Sequence, residues 1–158
     1  MRANPCLNEH DAKVYFMDIQ NNVRDGTLVS ASCLRSRWSW LYGQLWLFPN
    51  GLLRLPLPWW TGSAQGYSYR PTVNVSRLES RVFDENGFLQ LALNPKNLWI
   101  PRDHIVRAYL HNGIWAERLR VELIDGSEVK LFWMRPDHAS APLGKALSGW
   151  LGSNLVWE

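Results

Sequence analysis

The sequence has few cysteines, no close grouping of metal ligands and no long apolar run, and each deficit excludes a class of protein. With two cysteines in 158 residues, the chain is not a disulfide-rich scaffold. Its histidines and cysteines lack the close spacing of a structural zinc site, so no metal site is predicted. The apolar-rich stretch 38–60 is interrupted by glycine, proline, asparagine and arginine, which excludes a membrane-spanning helix.

Signals for secretion and for catalysis are also missing from the sequence. The N-terminal residues do not show the basic-then-apolar pattern of a secretion signal, so we expect a cytoplasmic protein, peripheral to a membrane if it binds lipid. Cys6 and Cys33 are then expected to be reduced. The adjacent pair Asp103 and His104 accompanies no nucleophile motif, and no glycine loop is built for phosphate. The sequence therefore predicts no enzyme, no catalytic residue and no cofactor.

Basic charge and aromatic side chains coincide in residues 26–83. This segment holds six arginines, one acid and no lysine, a charge of +5 in a chain whose net charge is +3. Five of the ten tryptophans fall in the same segment, at positions 38, 40, 46, 59 and 60. The preferred interpretation is that the arginines point to solvent from strands while the tryptophans fill the core. The alternative, which stays open, is a surface for an anionic partner.

The chain divides into an N-terminal extension, residues 1–25, and one mostly β domain, residues 26–158. Apolar spacing predicts a short helix over 8–23. Alternation and turn residues then predict a series of strands. They cover residues 27–35, 41–48 and 52–57, a second hairpin over 72–93 that turns at 84–87, and a strand over 105–110.

The last third has the clearest pattern. Leucine and valine alternate with charged residues over 119–123 and 129–133, which predicts a hairpin with one buried face. Pairing Leu123 with Val129 keeps the apolar side chains together and requires a three-residue turn such as 125–127. Helical spacing over 140–151, with Gly152 just beyond, predicts a C-terminal helix whose Leu147 and Trp150 cover the core.

Short strands in meanders followed by one amphipathic helix resemble the pleckstrin-homology-like superfamily, specifically GRAM and bacterial pleckstrin-homology domains. The matching stretches are ordered along residues 27–151. They are the glycine-led strand 43–47, the strand 50–55, the step Ile100-Pro101 to Ile105-Val106, the hairpin 119–133 and the helix 143–151. The resemblance implies a barrel of about seven antiparallel strands, with the C-terminal helix at its open end. The helix over 8–23 would be an addition.

The resemblance and the composition together predict a non-enzymatic binding module for an anionic membrane surface or a protein partner. Arg35 and Arg37 would contact phosphates, and Trp59 and Trp60, in a loop with no evident core face, would lie at the interface. The alternative, that the two tryptophans fold back as a lid on the barrel, stays open. Two alternatives from other classes remain. One is a homo-oligomeric assembly module, and the other, ranked lower, is a protein that binds single-stranded nucleic acid.

Overall fold

Within the residues that the structure describes, the strands form two mainly antiparallel sheets, and one α-helix precedes the last strand of each sheet. The computed structural model describes residues 25–35, 42–56, 80–82 and 85–158. The helix predicted over 8–23 lies outside these residues. The described elements are β1 (Asp25–Ser30), β2 (Gly43–Phe48), β3 (Gly51–Pro56), β4 (Ser80–Val82), α1 (Glu85–Leu93), β5 (Leu98–Pro101), β6 (Ile105–Asn112), β7 (Ala116–Leu123), β8 (Glu128–Met134), α2 (Ser140–Leu151) and β9 (Leu155–Trp157).

The strands form two sheets, one of five strands in the order β4-β1-β2-β3-β5 and one of four in the order β8-β7-β6-β9. Leu34 and Phe132 form a bridge between them at one corner through two backbone hydrogen bonds of 2.7 and 2.9 Å. At another corner, a short 3-10 turn, Arg102–His104, leads from β5 into β6. The prediction of a mainly β chain with a C-terminal helix is confirmed. The prediction of a barrel is wrong, because the two sheets are not closed.

Both faces of the five-stranded sheet are buried, since successive strand residues point to opposite sides. Leu52 packs in the main core between the sheets, which also receives Leu143 and Leu147 of α2. Leu53 packs on the other side, in an aromatic cluster under α1. Helix α2 spans the predicted residues 140–151, and Gly152 follows it in the left-handed φ region. Neither described helix is long and apolar enough to cross a membrane.

The second predicted hairpin is wrong over its C-terminal half, because residues 85–93 form a helix. The alternation of leucines at 89, 91 and 93 therefore does not mark a strand. The side chains that pack against the sheet are Phe88, Leu91 and Ala92, and their spacing of three and four is that of one helix face. The Phe88 ring packs edge-on against Phe48 at 5.0 Å and Trp99 at 5.1 Å.

The β7–β8 hairpin has the predicted three-residue turn, but its register differs from the prediction by two residues. Val121, not Leu123, lies opposite Val129, and the turn is Ile124–Gly126. Leu123 N donates to Ser127 O, and Gly126 N donates to Leu123 O. Gly126 has φ +81°, as required of the last residue in this kind of turn. The position of Gly126 therefore determines which three residues form the turn.

Candidate binding surface

The β6–β7 hairpin ends in an exposed apolar tip, which we define as Ile114 and Trp115. Their exposed fractions, 76% and 82%, are the highest among the large apolar side chains that the structure describes. The other large exposed apolar side chains of the described residues are separated along the chain, apart from the pair Val156 and Trp157. They are Tyr42, Leu93, Val106, Ile124, Val156 and Trp157. A projecting isoleucine-tryptophan pair is an energetically costly surface in water, which points to a contact site.

The local backbone holds the tip in place. A Cβ atom on Gly113 would overlap the Ala116 carbonyl oxygen, so only glycine fits this close approach. Arg135 N donates to Trp115 O at 3.3 Å, and this bond ties the tip to the 3-10 turn Arg135–Asp137 that follows β8. The start of β7 and the end of β8 thus both hold the tip in position.

Near the tip, the basic side chains are exposed and the acidic side chains are buried. Arg135 and His138 are exposed, and His138 N donates to Arg135 O at 3.0 Å. The carboxylates of the same two segments are buried, Glu117 at 6% and Asp137 at 1%. Since both acids are buried and Arg135 is exposed, with its backbone hydrogen-bonded to Trp115, the region has an exposed basic residue suited to an anionic partner.

The buried Glu117 carboxylate joins the base of the tip to helix α2. Its Oε2 accepts hydrogen bonds from Trp133 Nε1 and Ser140 Oγ, both at 2.6 Å, and from Ser140 N at 3.3 Å. Because Ser140 is the first residue of α2, the carboxylate also lies at the positive end of the helix dipole. Glu117 therefore fixes the start of β7, next to the tip, to both β8 and α2.

The buried Asp137 carboxylate joins the two sheets at the bridged corner. Its Oδ2 accepts from Ser30 Oγ at 2.6 Å, Ser32 Oγ at 2.6 Å and Ser32 N at 3.1 Å. Ser32 Oγ in turn accepts from Met134 N at 3.0 Å. Asp137 Oδ1 has no hydrogen-bond partner among the described residues. Hydroxyls and one carboxylate meet here, with no imidazole in these contacts to act as a base, so the cluster is suited to structure rather than to acyl transfer.

Cys33 and Arg54 lie next to each other on the inner side of the same corner. Arg54 is only 5% exposed, and its Nε donates to Cys33 O at 3.4 Å. Burial raises the pKa of the Cys33 thiol to about 12, although the Arg54 guanidinium lowers it in part. Burial also lowers the pKa of Arg54. The thiol is thus protonated at neutral pH and a poor nucleophile.

Cys33 should accordingly resist alkylation in the folded protein. At pH 8 about one thiol in ten thousand would be ionised at this pKa, so iodoacetamide should modify Cys33 only after unfolding. Mass spectrometry of the Cys33 peptide, with and without denaturant, measures this. The Cys6 peptide of the same sample serves as the internal reference. Alkylation of Cys33 in the native protein at the rate of a free thiol would contradict the buried placement.

Of the four binding residues predicted from the sequence, the structure describes only Arg35. Arg35 is exposed in a bend, one residue after the bridge between Leu34 and Phe132. Arg37, Trp59 and Trp60 lie outside the described residues, so their assembly into one surface stays a prediction. Arg54 departs from both interpretations of the basic segment, since it is buried rather than on a binding surface or in solvent.

The comparisons with known proteins add no relative. No protein-family model matches this chain, and no curated protein is significantly similar to it. The resemblance to the pleckstrin-homology-like superfamily therefore stays a prediction.

Sequence reasoning missed the tip and its supports, although one signal was present. The strand predicted over 105–110 is longer than expected, because β6 continues through Asn112. The two apolar residues directly after Gly113 belong to the connection and break the alternation of the flanking strands. Consecutive apolar residues next to a turn glycine are unusual, because turn positions are normally polar, and this departure is the signal that marks the tip. No comparable signal marked Glu117 or Asp137, whose partners are distant in sequence.

Proposed function

We propose that the chain is a non-enzymatic binding module that docks on an anionic membrane surface. The observation that carries this proposal is the exposed tip of Ile114 and Trp115 beside Arg135. Tryptophan prefers the boundary between water and hydrocarbon, and an arginine at that level can bind lipid phosphates. The exposed Arg35 adds positive charge to the domain, and Arg37, Trp59 and Trp60 would extend the contact.

The order of elements supports this proposal. Two mainly antiparallel sheets with a C-terminal helix against the core resemble the order of elements in a pleckstrin-homology-like or GRAM-like module, although the sheets are not closed into a barrel. A protein partner that used the same exposed side chains would not require anionic lipid. Dependence on lipid charge therefore separates the two functions.

Binding to vesicles should depend on the tip. We expect sedimentation with vesicles of phosphatidylcholine and phosphatidylserine, weaker binding at higher salt, and little binding to phosphatidylcholine alone. Replacing Ile114 and Trp115 by serine should weaken binding by roughly tenfold or more, because part of two large apolar side chains no longer leaves water. Arg135→Ala should weaken it about fivefold, since one cation near an anionic surface contributes about 1 kcal/mol.

The matched control is Ile124→Ser, because Ile124 is also an exposed apolar residue in a hairpin turn, at 69%. It should leave vesicle binding unchanged. A combined variant with alanine at Arg35, Arg37, Trp59 and Trp60 measures the contribution of the site predicted from the sequence. Equal binding to neutral and anionic vesicles, or a folded tip variant that binds as well as the native protein, would contradict the proposal. Absence of vesicle binding together with tip-dependent self-association would favour the assembly module.

A further inference from the structure

Strand β9 forms the outer edge of the four-stranded sheet. It has three residues, which pair parallel to β6 with Ala108 opposite Leu155 and Leu110 opposite Trp157. One residue further along, Glu158 N donates to Leu110 O at 2.9 Å. Leu155 is partly buried against the main core, and Trp157 is half exposed. The backbone of β6 thus receives a short extended segment along this edge.

The tryptophan of this segment lies in a slot that depends on a glycine of α2. A Cβ atom on Gly144 would lie 2.5 Å from the Trp157 ring. Gly144 is buried on the helix face that packs against β6. The slot therefore admits a flat aromatic ring only because α2 has no side chain at this position.

Two arginines of β7 bind the acid of the segment. Arg118 Nη2 contacts Glu158 Oε2 at 2.8 Å, and Arg120 Nη2 contacts Glu158 Oε1 at 3.3 Å. Arg120 also stacks over the Tyr109 ring, with its guanidinium carbon 3.7 Å from the ring centroid. The edge of β6 thus recognises the pattern of residues 155–158: an aliphatic residue, any residue, a tryptophan and an acid.

All of these contacts join the segment 155–158 to residues that precede the connection Gly152–Asn154. That connection is a single 3-10 turn whose residues are exposed, and Gly152 reverses the chain there with φ +53°. A second copy carries the same four residues, so it can make the same contacts when the turn opens. The exchange is reciprocal, because each copy offers one segment and one edge, and it closes as a two-fold dimer.

We propose that the β6 edge is a strand-acceptor site and that its occupant in trans is the 155–158 segment of a second copy. The exchanged state keeps the ladder, the tryptophan slot and the double arginine contact. The two states differ in the opened turn and in the translational and rotational freedom that the copies lose on association. Dimers should therefore form at high protein concentration and interconvert slowly with monomers, since each exchange requires β9 to detach.

Disulfide trapping with two complementary full-length variants tests this exchange. Tyr109 and Val156 lie opposite each other in the β6–β9 pair, so one chain carries Tyr109→Cys and the other Val156→Cys, both with Cys6→Ser. Equal amounts are mixed at high concentration and oxidised mildly. We expect a linked heterodimer at least about tenfold more abundant than background collisions produce. Mass spectrometry should identify the link between positions 109 and 156.

Mixing Tyr109→Cys with Lys145→Cys measures the background, because Lys145 is exposed on α2 and has no place opposite β6. A chain with both Tyr109→Cys and Val156→Cys should form the link within itself at low concentration, which confirms the register. A heterodimer yield no higher than the control pair would overturn the exchange. Failure of the double variant to form any link would overturn the acceptor site itself.

Discussion

Replacing Asp137 by alanine is expected to lower the free energy of unfolding by about 3 kcal/mol or more. The substitution leaves the Ser30 and Ser32 hydroxyls without their carboxylate acceptor in a buried site, whereas Ser32 N retains Ser30 Oγ as an acceptor at 3.2 Å. Each buried donor without a partner costs about 1–3 kcal/mol. The lost hydrogen bonds lie at the corner where β1 meets β8, so the substitution weakens the connection between the two sheets. Chemical denaturation followed by circular dichroism measures it.

The asparagine variant separates the hydrogen bonds from the space that the side chain fills. Asp137→Asn retains an oxygen where Oδ2 accepts its three bonds, and its amide nitrogen would replace Oδ1, which has no partner among the described residues. We therefore expect a smaller loss than for alanine. If the two variants are equally unstable, the three hydrogen bonds to Oδ2 do not carry the stability of this corner.

Asp125→Ala is the matched control for burial. Asp125 also accepts two hydrogen bonds from one serine, Ser127 N at 2.9 Å and Ser127 Oγ at 2.6 Å, but it is exposed in the β7–β8 turn. Its removal should cost about 1 kcal/mol or less, because water replaces the lost partner. A loss as large as that of Asp137→Ala would mean that burial is not what makes the corner sensitive.

Local patterns in the sequence predicted the second meander and helix α2, because both depend on short-range periodicity. The alternation over 119–123 placed the buried face of β7 correctly, and the spacing of Leu143 and Leu147 gave the helix. The helix over 85–93 was missed because three alternating leucines imitate a strand. The packing of Phe88 against Phe48 and Trp99 selects the helix over the strand in residues 85–93, and local sequence does not show this packing.

The remaining differences arise from contacts between distant parts of the chain. Asp137 accepts hydrogen bonds from serines that precede it by 107 and 105 positions, and no local motif predicts these contacts. Arg54 alternates with leucines in β3 and reads as a solvent-facing residue, yet the corner with Cys33 buries it. Strand β9 is too short for a periodic signal. Charge and alternation therefore predicted elements and faces, but not which polar groups lie inside.

Replacing Glu117 by alanine is expected to cost about 3 kcal/mol of stability and to loosen the first turn of α2. Trp133 Nε1 and Ser140 Oγ each lose a 2.6 Å bond to the same oxygen, and both donors stay buried without it. The helix start also loses a negative charge near its N-terminal dipole. Denaturation should report the first effect. Faster amide hydrogen exchange at Leu143, whose N–H donates to Ala139 O, should report the second.

Glu122→Ala is the control, because Glu122 lies on the opposite, half-exposed face of the same strand. Its removal should change stability by no more than about 0.5 kcal/mol. Glu117→Gln, which retains one accepting oxygen, should restore much of the protection at Leu143. If Glu117→Ala destabilises the fold but leaves this exchange unchanged, the carboxylate supports the hairpin alone. The tip of Ile114 and Trp115 would then be held by the β7–β8 pairing and the Arg135 N–H, independently of α2.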